Sequence, residues 1–268
     1  MTGKDWGVDR LDTGATADRP TFLRGLAVAG AALAGLRRRP PHSAPGRLWE
    51  GPTATDRAIL RAAQVAEALA VTTYDHIITV SPLFSYLFPQ DQSYMRAARQ
   101  EEMAHYQLLA RLTGAPAPYT AFYYPRGMFT TASTTLDTLV TLEEAFIAAY
   151  LVGVRDLSSP DLRAAAARIM GVESDHRTMA RVLAPGLDPA VGGPLRTLTG
   201  FAGTAEAVDP ANNNGFERPL GWTHIDQAVT ALRPFSEKRA AASAGFDASR
   251  AYPFRPFTPA LPTSLGGF

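Results

Sequence analysis

Four long segments of the chain carry the apolar periodicity of amphipathic helices, and no stretch of similar length alternates as a β-strand would. Each segment would form a helix roughly 30 Å long. Asp56 is the predicted N-cap of the first helix, and Ser159 and Pro160 are the predicted N-cap and first residue of the fourth. The predicted helices cover residues 57–80, 92–114, 133–156 and 160–186. Such a chain can bury its apolar stripes by packing helix on helix.

The lengths of the connections indicate how the helices are arranged. The first and second helices, and the third and fourth, are joined by short links that suit antiparallel neighbours. The link between Gly114 and Ser133 is much longer, and at ~3.3 Å per residue it can run the length of a helix. The sequence therefore predicts an all-α fold: a four-helix bundle with one long crossover between helices two and three.

Each apolar stripe is interrupted near its middle by acidic residues or histidine. Helices one and three each place one glutamate in the stripe, and helices two and four each place a Glu-x-x-His pair. Residues three apart share a helix face, so each pair can bind one ion together. Six residues are the predicted ligands of a binuclear metal site: Glu67, Glu102, His105, Glu143, Glu173 and His176. In this interpretation Glu67 and Glu143 complete or bridge the two sites.

Charge balance favours two divalent cations at this place. Four carboxylates in a core would repel each other, and each would cost several kcal/mol to desolvate. Two divalent ions cancel the four negative charges. The chain has no cysteine, and ligation by oxygen and imidazole without sulfur suits two iron or two manganese ions. The alternative is a set of polar residues that satisfy each other in a wide or wet bundle core.

The second pair of helices repeats the first. Glu67 and Tyr74 are seven residues apart, and so are Glu143 and Tyr150. The order and type of the candidate ligands are also the same in both halves. This repetition predicts a pseudo-twofold relation between the helix pairs.

Acidic residues beside the candidate ligands have a simpler interpretation. Glu101, Glu144 and Asp175 lie next to the stripe, where a solvated face is expected; for Asp175 a contact with an imidazole is the alternative. Glu143 is preferred to Glu144 because it lies in line with the apolar residues of its helix.

Two tyrosines and two histidines outside the six candidate ligands have their own interpretation. Tyr74 and Tyr150 are expected to be core aromatics that anchor hydroxyls in the bundle. The alternative gives them a hydrogen bond to a ligand or a role as electron donor. His76 and His224 are expected to be structural or surface residues.

The first 44 residues resemble an export signal. "DRPTFLR" is similar to the twin-arginine pattern, although Pro20 stands where the second arginine belongs, and an apolar run of 12 residues covers 25–36. This run is too short to cross a bilayer, and no other segment could do so. We expect export to the periplasm or cell envelope; the alternative is a cytoplasmic protein with an N-terminal tail. The formal net charge of +1 and the lack of a basic stripe argue against nucleic acid as a partner.

The chain after the bundle is different in composition. We expect residues 45–186 to form the bundle and 187–268 to form a loop-rich extension, with one or two short helices around 223–243 and an extended tail. Glycine, proline and asparagine are frequent there.

Several stretches resemble the ferritin-like superfamily, and more narrowly the bacterial ferritin-like domain proteins related to plant desiccation-associated proteins. The stretches are "AEALAVTTY", "EEMAHYQLL", "LEEAFIAAYLVG", "IMGVESDH" and "GFERPLGWTHIDQAVTALRPF". The resemblance covers 57–186 and extends to 210–236. It implies metal ligands at the six positions given above. Because the extension is long, we do not expect the chain to form an iron-storage shell.

The expected function follows from the site and the resemblance together. We expect oxidation of Fe(II) by O2 or peroxide, or removal of peroxide, in stress protection, by a chain that forms a homodimer or acts alone. The alternative is a structural or desiccation-protective envelope protein whose metal site only stabilises the bundle. A third hypothesis, an oxygenase with an organic substrate, requires a cavity lined by residues such as Phe146 and Met170.

Overall fold

The computed structural model describes residues 52–183, 198–199, 205–206 and 222–260. The predicted leader (1–44) and part of the predicted extension therefore lie outside the described residues. The helices are α1 (Ala54–Thr79), α2 (Pro82–Tyr86), α3 (Pro89–Thr113), α4 (Ala132–Asp156), α5 (Pro160–Leu183), α6 (Ile225–Ser236) and α7 (Lys238–Ser243). The strands are β1 (Ala121–Phe122), β2 (Leu198–Thr199), β3 (Ala205–Glu206) and β4 (Tyr252–Pro253).

The four long helices are α1, α3, α4 and α5. Helix α1 packs along α3, α4 packs along α5, and α1 also contacts α4. The connection between α3 and α4 is the long crossover, and its strand β1 pairs antiparallel with β4 near the C-terminus. The predicted all-α four-helix bundle with a crossover between its second and third long helices is confirmed.

Helix α1 begins three residues earlier than predicted. Thr53 is the N-cap: its hydroxyl accepts a 3.0 Å hydrogen bond from the Asp56 backbone N–H, and Asp56 Oδ2 accepts a 2.8 Å bond from the Thr53 N–H. The prediction of Asp56 as N-cap was wrong, because this residue closes a capping box as its third helical residue. Asp56 also accepts bonds from the Ser158 N–H and hydroxyl, which tie the start of α1 to the turn between α4 and α5.

The ends of the other helices follow local chemistry. Helix α3 starts at Pro89 rather than after Asp91, since proline fits the first helical turn. Gly114 ends α3 as predicted, with φ of 68°, a left-handed conformation that glycine adopts without steric cost. Ser159 caps α5 through a 3.2 Å bond from the Leu162 N–H. The short helix α2 was not predicted.

The described part of the C-terminal extension packs onto the bundle. Helices α6 and α7 occupy the region where short helices were predicted, and α6 contacts α4 and α1. The following segment lies along α3, where Gln107 donates a 3.0 Å bond to the Phe257 carbonyl and Gln100 accepts a 2.9 Å bond from the Ala260 N–H. The described end of the predicted tail, residues 257–260, is therefore attached to the helix that carries Glu102 and His105.

The bundle core is apolar above and below a polar middle layer. Its largest fully buried apolar side chains include Leu69, Ile77, Met95, Met103, Leu136 and Leu139. Of the helices that the structure describes, none is both long and apolar enough to cross a membrane.

Candidate metal centre

The six predicted ligands lie together in the middle of the bundle. They form two overlapping groups, and the candidate ligand atoms of each group all lie within 4.8 Å of one another. One group is Glu67, Glu102, His105 and Glu173; the other is Glu102, Glu143, Glu173 and His176. The two glutamates of the Glu-x-x-His pairs therefore belong to both groups. Glu67 and Glu143, which we expected to complete or bridge the sites, each complete one group.

Each side chain reaches the centre because its helix turns its stripe inward. Glu102 and His105 lie one turn apart on α3, and Glu173 and His176 repeat this on α5. The side chains of Glu102, Glu173 and His176 have no exposed surface, whereas that of His105 is 13% exposed. The group that contains His105 is therefore the one nearer to solvent.

Both imidazoles present Nδ1 to the carboxylates. His176 Nδ1 lies 2.8 Å from Glu102 Oε1, although the contact lacks the alignment of a hydrogen bond. His105 Nδ1 lies 3.4 Å from Glu67 Oε2 and 3.5 Å from oxygens of Glu102 and Glu173. Nδ1 of each histidine thus faces more than one carboxylate oxygen and is aligned with none of them.

The two tyrosines hold the outer glutamates across the bundle. The Tyr74 hydroxyl on α1 donates a 2.7 Å hydrogen bond to Glu143 Oε1 on α4, and the Tyr150 hydroxyl on α4 donates to Glu67 Oε1 on α1. The alternative interpretation of these tyrosines, a hydrogen bond to a candidate ligand, is what the structure contains. The exchange between α1 and α4 also agrees with the predicted pseudo-twofold relation.

Burial and mutual charge shift the protonation equilibria of the centre. Burial, and then the charges of Glu173 and Glu102, raise the pKa of Glu67 and of Glu143 well above the usual range. Burial also acts to raise the pKa of Glu102, but the nearby imidazoles outweigh it and the pKa is lowered. The pKa of His105 and of His176 is raised, because their carboxylate neighbours outweigh burial, which alone would lower it. The centre therefore attracts positive charge strongly.

The donor set fits a pair of divalent cations. Eight buried oxygen and nitrogen atoms of the six residues have no hydrogen-bond partner, including both oxygens of Glu102 and of Glu173 and Nδ1 of both histidines. A buried polar atom without a partner costs about 1–3 kcal/mol, and more when charged. These atoms point at the middle of the cluster, and carboxylate oxygen with imidazole nitrogen is a donor set that suits iron or manganese.

Glu101 contacts the centre from a partly exposed position: its side chain is 39% exposed, so the expectation of a solvated face is right in part. Its Oε2 lies 3.0 Å from His176 Nε2, on the side of the ring opposite to the cluster. This contact fixes the orientation of the imidazole, which is a usual arrangement at metal-binding histidines. The adjacent Glu-Glu pair in "QEEMAH" is the sequence signal for this contact, because the second glutamate faces the core and the first reaches the neighbouring helix.

The remaining neighbours lie outside the cluster. Glu144, expected on the surface, is buried, and its Oε1 lies 3.7 Å from Arg177 Nη1. Asp175 is exposed, as expected. His76 donates a 2.9 Å hydrogen bond from Nδ1–H to the Thr72 carbonyl and packs on Phe129, and is therefore structural.

Further aromatic rings pack against His176. The Tyr74 and Tyr94 rings meet its imidazole edge-on, at centroid distances of 5.6 and 6.1 Å. Burial raises the pKa of Tyr94 to about 12, so that its hydroxyl stays protonated. Sequence reasoning missed Tyr94, because the residue lies two turns from the Glu-x-x-His pair.

Two cavities border on described residues, and neither of them is the one expected for an organic-substrate oxygenase. Phe146 is buried in the core, and neither it nor Met170 lines them. One cavity of about 20 Å³ lies among the four long helices and α6, and another of about 220 Å³ lies between α1, the crossover and α6.

Comparison with known proteins gives a family match over part of the chain. The family model described as a ferritin-like domain matches residues 55–185, which include all four long helices except Ala54, the first residue of α1. No curated protein matches the chain.

Proposed function

Residues 55–185 belong to the ferritin-like domain family, and on that premise we propose that the chain is a binuclear metal oxidoreductase. It would hold two iron ions, or two manganese ions, and oxidise Fe(II) with O2 or peroxide, or remove peroxide. In this proposal the two overlapping groups described above would hold the ions, Glu102 and Glu173 as members of both groups and the other four residues as members of one group each.

The eight buried ligand atoms without hydrogen bonds carry the proposal. A structural polar core would pair such atoms with each other, because each unpaired atom lowers the stability of the fold. Here the oxygens of Glu102 and Glu173 face the same space as Nδ1 of both histidines. Two divalent ions would satisfy these atoms and balance the four carboxylates.

The protein residues around the ligands have defined roles in this function. Tyr74 and Tyr150 donate to Glu143 and Glu67 and leave the second oxygen of each carboxylate directed at the cluster. Glu101 accepts a hydrogen bond from the Nε2–H of His176, so that Nδ1 faces the cluster and would hold an ion after it loses its proton. The apolar layers above and below the centre limit the access of water to it, and the partly exposed side chain of His105 marks the side nearer to solvent. When bound, the ions would polarise the oxygen species and supply electrons.

The place of action is a further part of the proposal. Export through the predicted leader would locate the chemistry in the periplasm or cell envelope, where removal of Fe(II) or peroxide serves protection against stress. A comparison of the cell fractions that contain the full chain and a chain lacking residues 1–44 tests this part.

The experiment for the activity is metal analysis followed by turnover. The purified chain is analysed for metal content, titrated with Fe(II) under anaerobic conditions, and exposed to a pulse of O2 or of peroxide. Two ions per chain with repeated oxidation of Fe(II) support the proposal. Two ions that stay inert to both oxidants would contradict it and support the structural alternative. Glu173→Gln should abolish turnover, and Asp175→Asn, an exposed acidic residue on the same helix, is the matched control.

A further inference from the structure

The cavity of about 20 Å³ lies one helical turn from the candidate metal centre. Its lining includes Ala63 on α1, Leu109 on α3 and Ile169 on α5. These residues are each four positions from Glu67, His105 and Glu173, and therefore lie about 6 Å further along the same helix faces. Glu67, His105 and Glu173 belong to one of the two ligand groups, the one that is nearer to solvent.

The lining of the cavity is apolar. Aliphatic side chains of α1, α3, α4, α5 and α6 form it, together with Gly153 and Tyr150. The hydroxyl hydrogen of Tyr150 is already donated to Glu67, on the side of the metal centre. A water molecule or hydrogen peroxide in this space would lack the two to four polar partners that each requires. A small apolar molecule makes no hydrogen bonds in water, and therefore loses none when it enters this space.

The size of the space also limits the occupant. A volume of about 20 Å³ has room for one molecule of two or three atoms. An organic substrate would be too large for it.

Gly153 contributes to keeping the space open. It lies inside helix α4, where alanine is more favourable than glycine by about 1 kcal/mol. An added Cβ would meet Ala166 Cβ at 3.4 Å and Leu157 Cδ1 at 3.5 Å, which are ordinary contact distances. Neither backbone conformation nor crowding therefore requires glycine at this position, and the missing methyl group leaves volume to the cavity.

We propose that this cavity is a binding site for a small apolar gas molecule, and that dioxygen is its occupant. The use of the bound gas rests on the proposed function: dioxygen held one turn from Glu67, His105 and Glu173 is the oxidant of the centre, in preference to peroxide. The occupancy itself depends only on the shape and polarity of the cavity.

Dissolved oxygen provides a direct test on the metal-free full-length chain. Because O2 is paramagnetic, it accelerates the NMR relaxation of methyl groups that it contacts. Spectra under oxygen pressure are compared with spectra under nitrogen pressure. We expect several-fold larger enhancement for methyl groups of Leu60, Leu109 and Ile169 than for those of Leu69 and Leu139, which are equally buried outside the cavity. Equal enhancement in both sets would overturn the proposal.

A pair of glycine variants tests whether the gas molecule binds in this cavity. Gly153→Ala adds a methyl group to the cavity with ordinary contacts, and should reduce the enhancement at Leu60, Leu109 and Ile169. Gly171→Ala is the matched control, since it makes the same change in helix α5 with nothing within 4 Å of the new atom. A folded Gly153→Ala chain with undiminished enhancement would refute the site. Neither measurement needs metal or turnover, so an inactive centre with an oxygen-filled cavity would refute only the proposed function.

Discussion

The Tyr74 hydroxyl donates a 2.7 Å hydrogen bond to Glu143 Oε1, although the two residues are 69 positions apart and on different helices. Its counterpart, Tyr150, donates to Glu67 in the opposite direction. Each tyrosine thus orients the glutamate of the other half of the repeat. The polar middle layer of the bundle depends on this exchange, and its loss should be measurable in the metal-free chain.

Tyr74→Phe should lower the free energy of unfolding of the metal-free chain by about 1–3 kcal/mol, because Glu143 Oε1 then lacks a donor in a fully buried position. Urea denaturation measures the change. Tyr86→Phe is the control, since the Tyr86 side chain is largely exposed. Equal stability of both variants would mean that the hydrogen bond contributes nothing.

Glu67→Ala and Glu102→Ala should differ in the number of ions lost. Glu67 belongs to one ligand group, so its removal should weaken the binding of one ion and leave the second ion bound. Glu102 belongs to both groups, so its removal should weaken the binding of both ions. Titration with Co(II), followed by absorbance, gives the stoichiometry of each variant. Two ions bound to Glu102→Ala with unchanged affinity would show that the ligand assignment is wrong.

Glu101→Ala should reduce metal affinity about 10–100-fold, because His176 loses the carboxylate that orients its ring. Glu101→Gln keeps an acceptor oxygen and should recover part of the affinity. Competition with a chelator measures the affinity, and Asp175→Asn serves as the control for loss of a nearby acidic charge. If Glu101→Ala binds metal with the affinity of the wild type, Glu101 does not support the metal centre.

Asp56→Asn should destabilise the fold by about 1.5–3 kcal/mol at neutral pH, because the carboxylate accepts bonds from Thr53 and Ser158. Burial acts to raise the pKa of Asp56, but the bonds from Ser158 and Thr53 outweigh it and lower the pKa from 3.8 to about 2. The folded pKa is depressed, so the added stability is present above pH 3.8 and is lost as the pH falls toward about 2.

Urea denaturation of wild type and Asp56→Asn at several pH values measures this difference, which should shrink between pH 3.8 and about 2. The exposed Asp161, in the first turn of α5, provides the control Asp161→Asn. A difference that persists unchanged at pH 2 would show that the ionised form of Asp56 is not what stabilises the turn.

Glu144, and in part Glu101, depart from the expected solvated face for the same reason. Glu101 and Glu144 are one residue from a stripe position, which is about 100° around the helix, and a single stripe assigns them to solvent. A helix in a four-helix bundle has two neighbours, so its contact surface is wider than one stripe. Glu101 therefore reaches His176, and Glu144 reaches Arg177.

The sequence by itself determined the four long helices, their order and the six residues that face the centre. All of these follow from the 3.6-residue period and from loop lengths, which act within one helix or one connection. Tertiary structure alone decided that Tyr74 meets Glu143, that Glu101 holds His176, and that Gly153 leaves a cavity beside the centre. These contacts depend on the rotation and offset of one helix against another, which are set by the packing of the entire core rather than by any local pattern.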